Sequence, residues 1–346
     1  MRYKYNNITM LHLIVINCYD GIRTTKPHYF KMFDYLETLE NFKTITFPEI
    51  GNKNENEMKN IFVEKFGKIP DNIIFVEHLT GLALLNIPKE IKINILIDDL
   101  HHQGTVKIQK VRGLAKVSRI LSTYGYTFNK YYPHGVPVYW FPHSGTFDLG
   151  FNENPINKIL ISGRLNKDIY PFRQHIINLA KKNTFLQQLK VNCRYEIKSD
   201  SENLIYGKKY VEILNKYLAC FTCDASSDRP YIVAKHFEIL LSGSLLLAGN
   251  PNTKIYFEKL GFIDGTHYIS ATIGNIAEKI KFIENPDNKF TINKIRKNGY
   301  ELAKQKHTYF QRANYLINIL ENNNNDNIIR YDDGINQSIY FMEKIN

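Results

Sequence analysis

Cysteine, acidic residues and long apolar runs are all in short supply in this 346-residue chain, and each shortage excludes something. The four cysteines, Cys18, Cys193, Cys220 and Cys223, are too few for a disulfide scaffold. Three lie in or at the end of apolar, strand-like runs, where a free cysteine packs as a small hydrophobe. Cys220 and Cys223 form one C-x-x-C with no second pair, so neither zinc nor redox chemistry is expected of them. A reducing compartment follows: the cytoplasm, or a host's cytoplasm if the chain is viral. No stretch approaches the roughly eighteen consecutive apolar residues of a membrane-spanning helix, so none is expected. The opening MRYKYNN and ITMLHLIVI imitate the basic and apolar regions of a signal peptide, but no small-x-small cleavage site follows. That stretch is expected to be a first strand. Acidic residues number 34 against 45 Lys and Arg, a net charge of +11. Such a surface favours anionic partners: nucleotides, phosphosugars, nucleic acid or acidic lipid. The basic residues are spread along the chain and form no stripe, which argues against a nucleic-acid partner.

With 43% hydrophobic and 23% charged residues the composition is globular, and the length suits two domains. LHLIVIN (11–17) is a continuous apolar run, as expected of a strand buried on both faces. HYFKMFDYLETL, EMKNIFVEKFG and VSRILSTYG read as helices between strands TITFPEI, NIIFVEHL, INILIDDL and TFNKYYP. Around 133–157 the alternation stops in a segment rich in Pro, Gly and Asn. It resumes with KILISG, LKVNC, LACFTC and SLLLAG as strands. Helices PFRQHIINLAKK, KKYVEILNKY, YIVAKHFEILLSG and a long one from about 289 to 320 complete the second half. The expected fold is therefore α/β: two doubly wound, Rossmann-like domains. Their bounds are read as 1–145 and 146–320. A polar linker, ENNNNDN, and a C-terminal segment (321–346) then return to the first domain. Asn, Ile, Lys and Tyr are abundant, as in proteins of very AT-rich genomes, large DNA viruses included.

Two segments of the second half carry binding chemistry. In KILISGRLNKDIYPFR a buried strand ends at Gly163, where a ligand can approach the backbone closely. Arg164 and Lys167 follow, with Arg173 about one turn into the next helix. Basic residues at the carboxyl end of a parallel strand face the crevice in which such sheets bind ligands. The helix N-terminus adds N–H donors for phosphate. In SSDRPYIVAKHFEILLSGSLLLAG, Arg229 precedes a helix that Pro230 begins. Lys235 and Glu238, three apart, share one helical face. A cation, a helix start and a carboxylate suit a diphosphate and a ribose diol, since a carboxylate accepts two hydroxyl hydrogen bonds. The competing readings are solvated basic residues in the first segment and an exposed ion pair in the second.

These segments, together with FPHSGTFDLGF, GKKYVEILNKYLACFTC and KQKHTYFQRANYLINIL, resemble the group-1 glycosyltransferases of GT-B fold. The branch similar to spore-maturation glycosyltransferases is the nearest. The likeness covers roughly 135–320; residues 1–130 match only in strand–helix order. It implies two domains across a cleft and a nucleotide-diphosphate sugar as co-substrate, with no bound cofactor and no metal. It further implies that Arg164 and Lys167 contact the diphosphate, that the turn from Tyr231 to Ala234 offers N–H groups to it, and that Glu238 holds the ribose. The acceptor, a glycan or another hydroxyl compound, falls to the first domain. Where the family carries the first glutamate of its E-x7-E motif this chain has Pro230, which leaves donor sugar and stereochemical course open. Arg229 is a candidate substitute. The alternatives are a nucleotide-sugar epimerase on the same fold and a non-catalytic module binding a sugar nucleotide or nucleic acid.

A third segment, ILIDDLHHQG, ends a strand of the first half in two carboxylates and two imidazoles. A base for an acceptor hydroxyl needs such a group within hydrogen-bond reach. Asp99 and His101 are the candidates, little separated from Asp98 and His102. A metal site and a purely structural strand cap compete. The loop after the first strand brings Asp20, Gly21 and Arg23, which a GT-B reading assigns to the acceptor side; an ordinary basic surface loop is the alternative.

Overall fold

The computed structural model describes residues 10–16, 27–76, 79–82, 84–98, 112–124, 128, 136–163, 167, 170–189, 205, 207–224, 232–249, 253–321, 328–332 and 338–342. They form two compact units. One takes in Met1–Tyr19, Met32–Phe141 and Ala313–Lys344, the other Asp20–Lys31, Pro142–Arg312 and Ile345–Asn346.

The first unit is built on strands β1 (His12–Ile16), β2 (Phe42–Thr46), β3 (Asn72–Val76), β4 (Lys92–Ile97), β5 (Arg119–Ser122) and β6 (Val138–Trp140). These run parallel in the order β6-β5-β4-β3-β1-β2. Helices include the part of α1 (Pro27–Leu36) from Met32 on and α2 (Glu55–Phe66). Asn54 caps α2 by accepting from the Glu57 N–H, while Glu57 answers to the Asn54 N–H; Gly67 ends it in the left-handed region at φ +75°. Apolar runs become strands here because helices on both faces leave no solvent side. Leu13, Ile14, Ile73, Ile74, Phe75, Ile95 and Leu96 are all fully buried. At the amino ends of the strands His12, Asn72, Asn94 and Arg119 link into a polar row, His12 to Asn72 at 3.2 Å and Arg119 to both asparagines at 3.3 Å. A row of matched side chains at one level fixes strand register.

The segment VSRILSTYG, expected to be helical, is strand β5. Ile120 and Leu121 are both buried, side by side, which a helix stripe three and four residues apart does not require. A short apolar run of this kind has no period to separate helix from strand. The C-terminal segment adds β12 (Ile328–Asp332) and β13 (Ser338–Met342), antiparallel to each other, with β13 parallel to β6.

The second unit has a parallel sheet of β7 (Ile156–Ile161), β8 (Leu186–Gln188), β9 (Tyr217–Cys223), β10 (Leu245–Gly249) and β11 (Ile269–Ser270). The strand order is β11-β10-β9-β7-β8. Its helices are α3 (Pro171–Ala180), α4 (Gly207–Asn215), α5 (Ala234–Leu241), α6 (Lys254–Lys259), α7 (Ile276–Glu284) and α8 (Lys289–Lys306). Helix α9 (Tyr309–Glu321) starts here and runs on into the first unit. Strand β8 directly precedes LKVNC, where a strand is expected; residues 190–193 of that segment are outside the described residues.

The long helix expected over 289–320 is two helices, and the break has a local cause. The segment from Pro142 crosses it: Gly145 N–H donates to the His307 carbonyl at 2.8 Å, and Tyr309 N–H donates to the Gly145 carbonyl at 3.1 Å. Arg312 donates to the Pro142 and His143 carbonyls at 2.9 and 3.1 Å. Buried Arg296 of α8 similarly holds the carbonyls of Gly243 and Asn152.

Candidate functional site

In the second unit the chain runs from β7 outward to β8, then returns to the other side of β7 as β9. The two strands therefore border the point where strand order reverses, the place at which open α/β sheets bind ligands beyond their carboxyl ends. Ile161 pairs with Phe221, so Gly163 stands level with Cys223; Gly249 pairs with Cys223 from β10. The rim thus carries a glycine on either side of Cys223.

Close packing demands a glycine at both positions. Gly163 adopts φ +108°, and a Cβ on it would meet the Arg173 guanidinium carbon at 3.0 Å. A Cβ on Gly249 would meet the Phe172 ring at 2.7 Å and the Cys223 Cβ at 3.0 Å. Helix α3 begins at Pro171, a favoured first position, and lays its first turn over the rim. The Arg173 backbone N–H reaches the Cys223 sulfur. The Arg173 side chain is buried, with its guanidinium carbon 4.2 Å from the centre of the Tyr170 ring. Burial pushes the Cys223 thiol up to about 11, so Cys223 packs as a neutral group.

Behind the rim, Tyr210 of α4 and Ser162, the residue after β7, share a hydrogen bond of 2.6 Å; both are buried. Burial, and after it the charge of Glu238, drive the Tyr210 phenol well above its ordinary value. Helix α5 begins at Ala234 after an extended Val233, and His236 Nδ1 shares a 3.1 Å hydrogen bond with the Val233 carbonyl. Lys235 and Glu238 are half-buried on its first turns. Desolvation raises the Glu238 carboxyl above the usual range, and Lys235 draws it back down. Asp224, one residue beyond β9, is only 5% exposed. Burial pushes its carboxyl up to about 7. Thr253 is also buried, just ahead of α6.

Of the residues singled out in the sequence, the structure brings Gly163, Lys235 and Glu238 to one end of this sheet. Lys167 is exposed in the turn before α3. Arg164, Arg229 and Tyr231 lie outside the described residues, as do Asp99, His101, Asp20, Gly21 and Arg23. Asp98 is half-buried directly after β4. Among the described residues no group of His, Cys, Asp and Glu is arranged to hold a metal, and no helix is long and apolar enough to cross a membrane. Sequence reasoning missed Tyr210, Ser162 and Asp224. Asp224 had one signal: a carboxylate directly after an apolar strand, at its carboxyl end.

This architecture is that of a recognised class. The chain resembles the Anabaena protein HepE in complex with UDP and glucose, with TM-score 0.60 and 12% identity over 90% of this chain and 99% of that one. It resembles an alpha-glucosyltransferase (AGT) in complex with UDP, with TM-score 0.58 and 9% identity over 90% and 100%. It also resembles TarM, with TM-score 0.51 and 12% identity over 77% of this chain, and spans 58% of TarM's length. At these identities the likeness is one of fold: two α/β units on parallel sheets, the GT-B fold of glycosyltransferases. Residues 173–318 match a family model described as glycosyl transferase-like. That match runs from Arg173 through Tyr210, Asp224 and Glu238 and covers less than half of the chain. A search of curated proteins finds no match to the sequence.

Proposed function

We infer that the chain is a glycosyltransferase, moving a sugar from a nucleotide-diphosphate sugar to an acceptor hydroxyl in glycan or protein glycosylation. The observation that carries this reading is the convergence of Gly163, Arg173, Lys235 and Glu238 at the switch point of a sheet with a glycosyl transferase-like match. Structures of the same fold in complex with UDP support a nucleotide as the ligand. In this reading Glu238 accepts two hydroxyl hydrogen bonds from the ribose. Arg164, Lys167, Arg229 and Lys235, with the N–H groups from Tyr231 to Ala234, meet the diphosphate. As the glycosidic bond breaks, negative charge grows on the nucleotide, and fixed donors aimed at that charge are the largest expected source of acceleration. The motifs KILISGRL and KHFEILLSGSLLLAG support the spore-maturation-like branch as the chain's subgroup. No bound cofactor and no metal are required.

The donor belongs to the segment 146–320 and the acceptor to 1–145. Asp99 or His101 then serves as base for the acceptor hydroxyl, and Asp20, Gly21 and Arg23 shape the acceptor side. The test is a transfer assay with single alanine variants. Asp99→Ala or His101→Ala lowers turnover about 10²–10⁴-fold with donor affinity intact. Wild-type turnover in both variants removes this strand end from the mechanism.

A further inference from the structure

Among the polar groups buried in the second unit, one bonded pair is given no task by the donor-site reading: Ser162 and Tyr210. Strand β7 ends at Ile161, which pairs with Gln188 on one side and Phe221 on the other. Ser162 is the first residue beyond that ladder, and Gly163, at φ +108°, begins the turn that follows. Successive side chains of a strand point to opposite faces. Ile159 and Ile161 pack into the core with Phe172 and Ile176 of α3, so Ser162 faces the other helix layer. There the Tyr210 hydroxyl of α4 meets the Ser162 hydroxyl at 2.6 Å. Helix α4 is a fixed support. Asn215 at its end donates to the Gly150 and Ser242 carbonyls at 2.9 and 2.8 Å, and Val211 and Leu214 are buried. From the α3 side the Arg173 guanidinium lies so close to Gly163 that a Cβ there would touch it. The start of the turn is thus gripped from both faces of the sheet. Thr222 of β9 stands at the level of Ser162, fully buried, and its hydroxyl has no hydrogen-bond partner among the described residues. A hydroxyl at this level is therefore not bonded as a matter of course. A buried hydroxyl pair adds little net stability, because it replaces bonds that both groups make to water. What it adds is direction, since a satisfied buried pair holds its two elements in one arrangement.

We propose that Tyr210 is a positioning residue of the donor site: through Ser162 it fixes the turn at Gly163 from which Arg164 and Lys167 meet the diphosphate of the nucleotide-sugar. The inference rests on the donor-site reading and adds to it a residue that touches no ligand. Donors held in place beforehand need no reorganisation when the charge arrives. A loosened turn must be ordered at the expense of binding. The effect falls on the diphosphate and spares the nucleoside, because only the diphosphate depends on this turn.

The test is titration calorimetry on the full chain with UDP-glucose, GDP-mannose and dTDP-glucose, and with uridine, guanosine and thymidine measured by displacement of the nucleotide-sugar that binds. Tyr210→Phe keeps the ring and removes the hydroxyl. It should weaken the nucleotide-sugar about three- to tenfold, the worth of one neutral hydrogen bond, and leave the matching nucleoside unchanged. Ser162→Ala removes the same bond from the strand side and should give the same loss. The double variant should lose no more than either single one, as expected of two groups that act as a pair. Thr222→Val, which deletes the neighbouring hydroxyl without touching the pair, should bind as the wild type does. Unchanged affinity in both single variants overturns the proposal. So does a loss shared equally by nucleoside and nucleotide-sugar, the mark of a merely structural role. An additive loss in the double variant, or a loss in Thr222→Val as large as that in Tyr210→Phe, overturns it too. Should Tyr210→Phe not fold, Ser162→Ala decides by the same split between nucleoside and nucleotide-sugar. If none of the three nucleotide-sugars binds the wild type, the donor-site reading falls and this inference with it.

Discussion

Asp224 shows how much a single buried residue can carry and how little of it is visible in a sequence. Its folded carboxyl sits at about 7 against an ordinary value of 3.8. A raised carboxyl means that the folded state binds the proton more tightly than the unfolded one. Its contribution to stability is therefore complete below about pH 4 and declines as pH rises towards 7. Above that the cost of burying the charge is fully present. Asp224→Asn, neutral at all pH, should leave stability nearly unchanged at about pH 3.5 and raise it by roughly 2–4 kcal/mol at about pH 8. Urea denaturation of both proteins at the two pH values checks this; an equal effect at both would contradict it. Lys235 and Glu238 were legible because their spacing puts them on one helical face whatever the fold around them. Arg173 was legible as a charge, yet its burial over Gly163 was not. Tyr210 reads as one more aromatic on the apolar side of a helix, and its bond to Ser162 depends on a contact between elements 48 residues apart.

At the scale of elements, most strands announced themselves, since parallel strands buried on both faces are continuous apolar runs. The errors came where local pattern was silent. RILS has no alternation, and only its place between β4 and β6 makes it a strand. The helical pattern over 289–320 is unbroken in sequence; at the break, Gly145, distant in sequence, takes the His307 carbonyl and the Tyr309 N–H. His307 is fully buried, and desolvation, with Arg312 beside it, holds its pKa well below the ordinary value. Close packing of α8 gives a prediction at this scale. A Cβ on Gly299 would run into the His267 carbonyl oxygen and come within 2.8 Å of Leu240. The first obstacle is backbone and cannot rotate away. Gly299→Ala should therefore destabilise the protein by about 1–3 kcal/mol despite its better helix propensity. A measured stabilisation would mean that α8 packs less closely than described.

At the scale of the whole molecule, strand–helix alternation interrupted once by a Pro-, Gly- and Asn-rich segment was enough to give the α/β class and two sheets. The strand order, and with it the switch point, was not readable, because it depends on which strands pair across the sheet. The function rests on that switch point and on the residues gathered there. The most direct test is binding of a sugar nucleotide by the intact chain and its dependence on Glu238, measured by thermal unfolding with UDP, GDP, dTDP and CMP, followed by calorimetry. At a ligand concentration about a hundredfold above Kd, binding adds roughly 2.7 kcal/mol, a rise of several degrees in Tm. At least one nucleoside diphosphate should give such a rise in the wild type, with an affinity about ten- to a hundredfold weaker in a folded Glu238→Ala variant. No rise with any of the four, or equal affinity in the variant, would contradict this reading.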